Sequence, residues 1–195
     1  IYLNEYAKKG NPFVKVVEFT TQTLAGIPSI IFGLFGFVFF GIYLKMGYSL
    51  LSGSLTLAIM VMPTIIRTTQ ETLKTVPNSY REGAIGLGAT RLHLIRTILL
   101  PSAMPGIITS VILSIGRIVG ESAALIFTAG IGYMMPRGFF SHLRSSGATL
   151  TVQLYQYAMR GENLDIVYAT ATVLIIVVLL VNFTAKKMAS VLRKG

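Results

Sequence analysis

Four long apolar runs constrain this chain more than any other feature of its sequence. They lie at about residues 27–44, 50–66, 105–129 and 166–184, and the first contains eighteen residues without a charge. A helix needs about twenty apolar residues to cross the hydrocarbon core of a bilayer. Only 12% of the residues are charged, about half the share found in a soluble domain. The sequence therefore predicts an all-α, polytopic bundle of transmembrane helices that forms one domain over residues 1–195.

The basic residues predict which side of the membrane each connection faces. Twelve of the seventeen lysines and arginines fall on the side that carries residues 1–26, 67–104 and the tail from 185. Four fall on the other side, and Arg117 alone lies within a span. Cytoplasmic loops carry the excess of positive charge. Both visible ends and residues 79–101 are therefore predicted to face the cytoplasm, in a multi-pass protein of the cytoplasmic (inner) membrane.

The composition argues against several other classes of protein. The chain has no cysteine, and His93 and His142 fall on opposite sides of the predicted membrane. A disulfide framework, a metal site or a cluster of catalytic side chains is therefore not expected. The net charge of +10 is spread along the chain, so no nucleic-acid partner is expected. The pattern G-x-x-x-x-G-K-[ST] does not occur, so any ATP must be bound by another chain and this chain is predicted to be no enzyme and to hold no cofactor.

Residues 79–101 form a charged, glycine-punctuated segment between two apolar runs, which we call the elbow. Ser79 and Glu82 have the spacing of a capping box at a helix start. Gly88 is placed to end that helix in a left-handed conformation. Thr90 can cap a second helix, which is predicted to end at Pro101. The elbow is thus predicted to be a helix-turn-helix at the membrane surface that is held by a partner.

The elbow resembles the EAA loop of ABC-transporter permeases. Six of seven pattern positions agree, and Gly83 replaces the first alanine; the positions are Glu82, Gly83, Ala84, Gly88, Ile98, Leu100 and Pro101. The resemblance implies the type I ABC importer permease fold and a coupling helix that docks on an ATPase. It assigns that coupling to Ser79, Glu82, Gly83, Ala84 and Gly88. The alternative is that Glu82 merely caps the helix and Gly88 merely ends it.

Arg117 and Glu121 are predicted to lie four residues apart on one face of the third span. Inserting a charge at the centre of a bilayer costs about 2.5–3.5 kcal/mol of free energy, so a structural or functional role must offset the cost of this pair. One interpretation is a structural pair that locks two helices. The other is a site on a translocation path, because a guanidinium suits an oxyanion such as phosphate, sulfate or molybdate. Arg67 is a third pathway candidate, although snorkelling explains most arginines at span ends.

Residues 116–125 and 127–130 are similar to the signature of phosphate-specific ABC transporter permeases, A-type subunit, as are 24–33 and 63–67. The resemblance implies that Arg117 and Glu121 serve phosphate passage. It also implies four partners: a homologous second permease subunit, a dimeric ATPase that binds ATP and Mg²⁺, an extracytoplasmic phosphate-binding protein, and the lipid bilayer. That family normally has six spans, so we expect a missing N-terminal part. The alternatives are a permease for another oxyanion and a membrane anchor that transports nothing.

Overall fold

The computed structural model describes residues 2–7, 11–133, 138–161 and 164–192. All regular secondary structure in these ranges is helical, which confirms the all-α fold class. The helices are α1 (Tyr2–Glu5), α2 (Pro12–Ala25), α3 (Ser29–Gly36), α4 (Leu50–Thr75), α5 (Asn78–Gly86), α6 (Arg91–Leu94), α7 (Leu100–Val119), α8 (Ala123–Thr128), α9 (Phe139–Leu143), α10 (Leu150–Arg160) and α11 (Leu164–Leu192). Two π-helical segments, Phe37–Tyr43 and Ile95–Leu99, continue α3 and join α6 to α7.

Within the described ranges, three helices are long and apolar enough to cross a membrane. They are Leu50–Thr75, Arg91–Val119 and Leu164–Lys187. The apolar run predicted at 27–44 forms α3 and its π-helical extension, which end at Tyr43. That helix is bent by 106° from α2, and the two make a fourth span only if together they form one broken crossing. The helical part of the run has eight residues in α3 and seven in the π-helical segment, fewer than the roughly twenty that a crossing requires, so it does not count as a span by itself.

The third span differs from the prediction at both ends. The helix begins at Arg91 and passes through Pro101, so the expected end at Pro101 is wrong. A π-helical segment ends at Leu99, two residues before the proline, and its wider turn leaves room for the ring and the missing N–H. The helix then ends at Val119 rather than continuing to 129, and α8 is a separate short helix. The predicted span at 105–129 is thus two helices with a break between them.

The contacts divide the chain into two compact units. The first unit consists of Ile1–Ala25, Pro63–Ser114 and Thr184–Gly195. Its core holds apolar side chains from the end of α4, from α5 and from the helix that starts at Arg91: Leu73, Val76, Ala84, Leu94, Ile95, Leu99 and Ala103. The elbow is therefore not a loose loop, because its inner face contributes to this core.

The second unit consists of Gly26–Met62 and Ile115–Phe183, and α3 packs closely on α8 within it. A Cβ atom built on Gly33 would lie 2.7 Å from Cα of Ala124, closer than real Cβ contacts come. Small residues let helix backbones approach in this way. The chain after α8 returns to the same unit, where Gly147 N–H donates to the Ala129 carbonyl (3.1 Å) and Leu50 N–H to that of Ser145 (3.0 Å).

Candidate functional site

The elbow turns at Gly88, as the sequence predicts. Gly88 has φ 81°, a conformation that favours glycine. Its N–H donates to the Ile85 carbonyl (2.9 Å), and Ala89 N–H donates to the Ala84 carbonyl (3.0 Å). These are the two hydrogen bonds of a Schellman motif, which ends a helix by satisfying its last carbonyls. The start of the second helix is also confirmed, because the Thr90 hydroxyl accepts from His93 N–H at 3.3 Å.

The capping box predicted for Ser79 and Glu82 is wrong. Helix α5 starts at Asn78, and Pro77 precedes it without a side-chain capping bond. Ser79 and Glu82 therefore lie inside the helix, and both are exposed. Pro77 has ψ 141°, so it lies outside the helix, and the helical conformation already begins one residue before Ser79.

The two faces of α5 differ in their surroundings. Ala84 is buried at 7% exposure and packs into the core of the first unit. Tyr80, Ile85 and Leu87 point outward, and Leu87 is 90% exposed. A Cβ atom at Gly83 would meet no other atom within 4 Å. One face of the elbow therefore packs on the core of the first unit, and the other exposes apolar side chains.

Arg117 and Glu121 do not share a helical face, so that prediction is wrong. Helix α7 ends at Val119. Glu121 N–H then donates to the Ile118 carbonyl (3.1 Å), which tightens the last turn. Within the described ranges, no hydrogen bond or ion pair joins Arg117 to Glu121. Arg117 is half-buried in the last turn of α7, where a cation is favoured by the helix dipole.

Glu121 instead joins two neighbouring helices of the second unit. Its side chain is buried at 8% exposure. Its Oε1 accepts from Ala124 N–H at 3.0 Å, which caps the start of α8. Its carbonyl accepts from the Thr151 hydroxyl at 2.7 Å, in the first turn of α10. No pattern in the sequence points to Thr151, because only the fold brings it to Glu121.

Arg67 lies in the first unit, whereas Arg117 and Glu121 lie in the second. Its Nε donates to Glu71 Oε1 at 2.9 Å, and both side chains are more than half exposed. The pair borders a polar cavity of about 240 Å³ between α2 and α4, with Gln70 and Thr21. Gln70 is buried, and its Nε2 has no hydrogen-bond partner among the described residues. Exposed ion pairs contribute at most about 1 kcal/mol, so this pair does little for stability.

Sequence reasoning missed Arg81, which precedes Glu82 on α5. Its guanidinium donates to backbone carbonyls at the end of α4 and pairs with Glu5. A partner 76 positions away leaves no pattern in a sequence. The elbow therefore has a charged anchor on its inner side in addition to its apolar core.

Comparison with known proteins decides the family. The family model described as "Binding-protein-dependent transport system inner membrane component" matches residues 2–194. The chain belongs to this family. The membership confirms the resemblance to ABC-transporter permeases that the elbow indicated.

Individual relatives of this inner membrane component agree with the family. The "Probable ABC transporter permease protein YqgI" of Bacillus subtilis is 32% identical over 100% of this chain and 70% of that protein. The "Phosphate transport system permease protein PstA 2" of Mycobacterium bovis is 33% identical over 95% of this chain. This chain spans 61% of the length of the mycobacterial protein.

A solved structure supports the fold of this chain. The inward-facing MetNI methionine ABC transporter superposes with a TM-score of 0.76 over 93% of this chain and 76% of that chain. The two are 22% identical. The likeness confirms the type I ABC importer permease fold.

Proposed function

We propose that this chain is the permease subunit of an ATP-driven importer that carries inorganic phosphate across the cytoplasmic membrane. The observation that carries the proposal is the family match over residues 2–194. Phosphate is supported by the name of the mycobacterial relative. The partners are a homologous second permease, a dimeric ATPase that binds ATP and Mg²⁺, and an extracytoplasmic phosphate-binding protein. Both visible ends and the elbow face the cytoplasm, as the distribution of positive charge favours.

The elbow is the surface on which the ATPase acts. Its exposed apolar residues, Ile85 and Leu87 among them, suit a hydrophobic groove on a partner. Ala84 holds the helix against the core of the first unit, and Gly88 fixes the turn into the next helix. Glu82, Ser79 and Gly83 lie on the exposed part of α5, where they can touch the ATPase directly. Movement of the ATPase is passed through α5 to the helices attached to it.

Arg117 is the residue that meets the phosphate ion. Its guanidinium offers planar donors to an oxyanion, and no ion pair in the described part of the chain occupies it. Glu121 serves the same path indirectly, because its cap on α8 fixes the break that follows Arg117. Arg67 attracts the anion from its own unit, where Glu71 keeps the attraction weak enough for release.

The test is transport by the full-length protein, reconstituted into liposomes with its second permease, ATPase and binding protein. ATP-dependent uptake of radiolabelled phosphate is expected, and excess sulfate should not compete. Arg117→Ala should lower uptake by about tenfold or more, because a hydrogen bond to a charged group is worth about 1.5–3 kcal/mol. Arg117→Lys should be intermediate, since lysine keeps the charge but loses the planar fork. Lys15→Ala removes an exposed cation and serves as the control.

The other functions predict different results in the same assay. Competition by sulfate or molybdate would indicate a permease for another oxyanion. Absence of uptake of every anion, with the complex assembled, would indicate a membrane anchor. Normal uptake by Arg117→Ala would remove Arg117 from the path while leaving the transport function in place.

A further inference from the structure

Arg81 is bonded on several sides at once. Its Nη2 donates to Glu5 Oε1 and to the Leu73 carbonyl, both at 3.0 Å. Its Nη1 donates to the Val76 carbonyl at 2.8 Å and lies 3.3 Å from Asn78 Oδ1. The side chains of Arg81 and Glu5 are only 19% and 11% exposed. One guanidinium thus joins α5, the end of α4 and the short helix α1.

These bonds lie where they can hold α5 rigidly against the end of α4. Helix α4 ends at Thr75 and α5 starts at Asn78, so only Val76 and Pro77 connect them. The last carbonyls of a helix lack intrahelical partners and carry its negative dipole end. Arg81 satisfies two carbonyls at this end and places its positive charge there. Lysine cannot do the same, because it lacks the planar arrangement of several donors.

The ion pair of Arg81 with Glu5 differs from the surface ion pair of Arg67 with Glu71. Arg67 and Glu71 lie on one helix and are 57% and 61% exposed, so their pairing constrains nothing beyond α4. Arg81 and Glu5 lie on different helices, far apart in sequence, and are mostly shielded from solvent. Breaking a shielded pair leaves an uncompensated charge, whereas an exposed pair is replaced by water.

We propose that Arg81 is a positioning residue that makes α5, the end of α4 and α1 move as one body. Displacement of α5 by the ATPase then tilts α4 directly, instead of bending the link at Val76 and Pro77. The ion pair with Glu5 adds α1 to the helices that move together. The proposal rests on the proposed function, because it concerns how ATP hydrolysis is coupled to transport.

The test is the number of phosphate ions carried per ATP hydrolysed, measured on assembled full-length complexes in liposomes. A purely structural role would change how much complex assembles, but not this ratio. Arg81→Ala should lower the ratio about tenfold while hydrolysis continues, within the usual range of coupling between sites. Arg81→Lys and Glu5→Gln should each lower it about threefold, because each keeps part of the network. Lys15→Ala should keep the wild-type ratio.

Each outcome decides either the proposed role of Arg81 or the assignment of phosphate as the substrate. If the wild-type complex takes up phosphate and Arg81→Ala carries the same number of phosphate ions per ATP hydrolysed, the positioning role of Arg81 is wrong. If Arg81→Ala fails to assemble, Arg81→Lys and Glu5→Gln decide, and a wild-type ratio in both overturns that role. If the wild type carries a different oxyanion, the phosphate assignment fails, and the ratio measured with that anion still tests Arg81.

Discussion

The turn at Gly88 and the break after Val119 interrupt helices in two different ways. At Gly88 the backbone itself makes the turn, with φ 81° and two Schellman hydrogen bonds. After Val119 a buried side chain makes it, because Glu121 caps α8 and its carbonyl is held by Thr151. The first interruption is exposed, while the side chain that makes the second is buried within its own unit. A local backbone conformation thus suffices for the exposed turn, whereas the break after Val119 depends on hydrogen bonds to a buried side chain and to its carbonyl.

The largest expected effect lies in the packing beside the enclosed break. Gly33→Ala should lower the free energy of unfolding by about 3 kcal/mol, because the added Cβ meets the backbone of Ala124 and α8 must move. Thermal unfolding in detergent measures the loss. Gly83→Ala is the control, since its Cβ has open space and alanine favours a helix. Equal stability of the two variants would show that α3 and α8 do not pack as described.

The second-largest effect is expected at Glu121, where two substitutions distinguish the capping hydrogen bond from the negative charge. Glu121→Ala should lower the free energy of unfolding by about 2 kcal/mol, because it leaves Ala124 N–H without its acceptor. Glu121→Gln keeps an acceptor oxygen and should lose much less. Thermal unfolding of both variants, followed by phosphate uptake, makes the comparison. A glutamine variant as unstable as the alanine variant would mean that the charge, and not the cap, holds the break.

The smallest effect on stability is expected at the exposed turn. Gly88→Ala should lower the free energy of unfolding by about 1 kcal/mol, because alanine is strained at positive φ. Gly86→Ala, two residues earlier at the end of α5, should be neutral or slightly stabilising. Although its cost is small, Gly88→Ala should uncouple hydrolysis from uptake, since the turn sets the direction of the helix that follows. Coupled transport at the wild-type level would contradict that role.

The sequence by itself determined the features that depend on local chemistry. The length of the apolar runs predicted helices and a membrane, and the EAA pattern predicted the family that the match over residues 2–194 confirms. Gly88 and Thr90 were also predictable, because a left-handed turn and a helix cap depend on a few neighbouring residues. For the turn and the cap, the physical cause lies within about one helical turn of the residue concerned.

Only the tertiary structure decided which partners the charged residues choose. The spacing of Arg117 and Glu121 predicts a pair on one helix, but α8 and α10 compete for Glu121 and the helix ends before it. Ser79 and Glu82 have the spacing of a capping box, yet the helix already begins at Asn78, directly after Pro77. No sequence pattern singles out Arg81. Its role as an anchor of α5 is visible only from its bonds to Glu5 and to the end of α4. Arg81 donates to acceptors, and Glu121 accepts from donors, that the fold brings within reach, and some of these partners are distant in sequence.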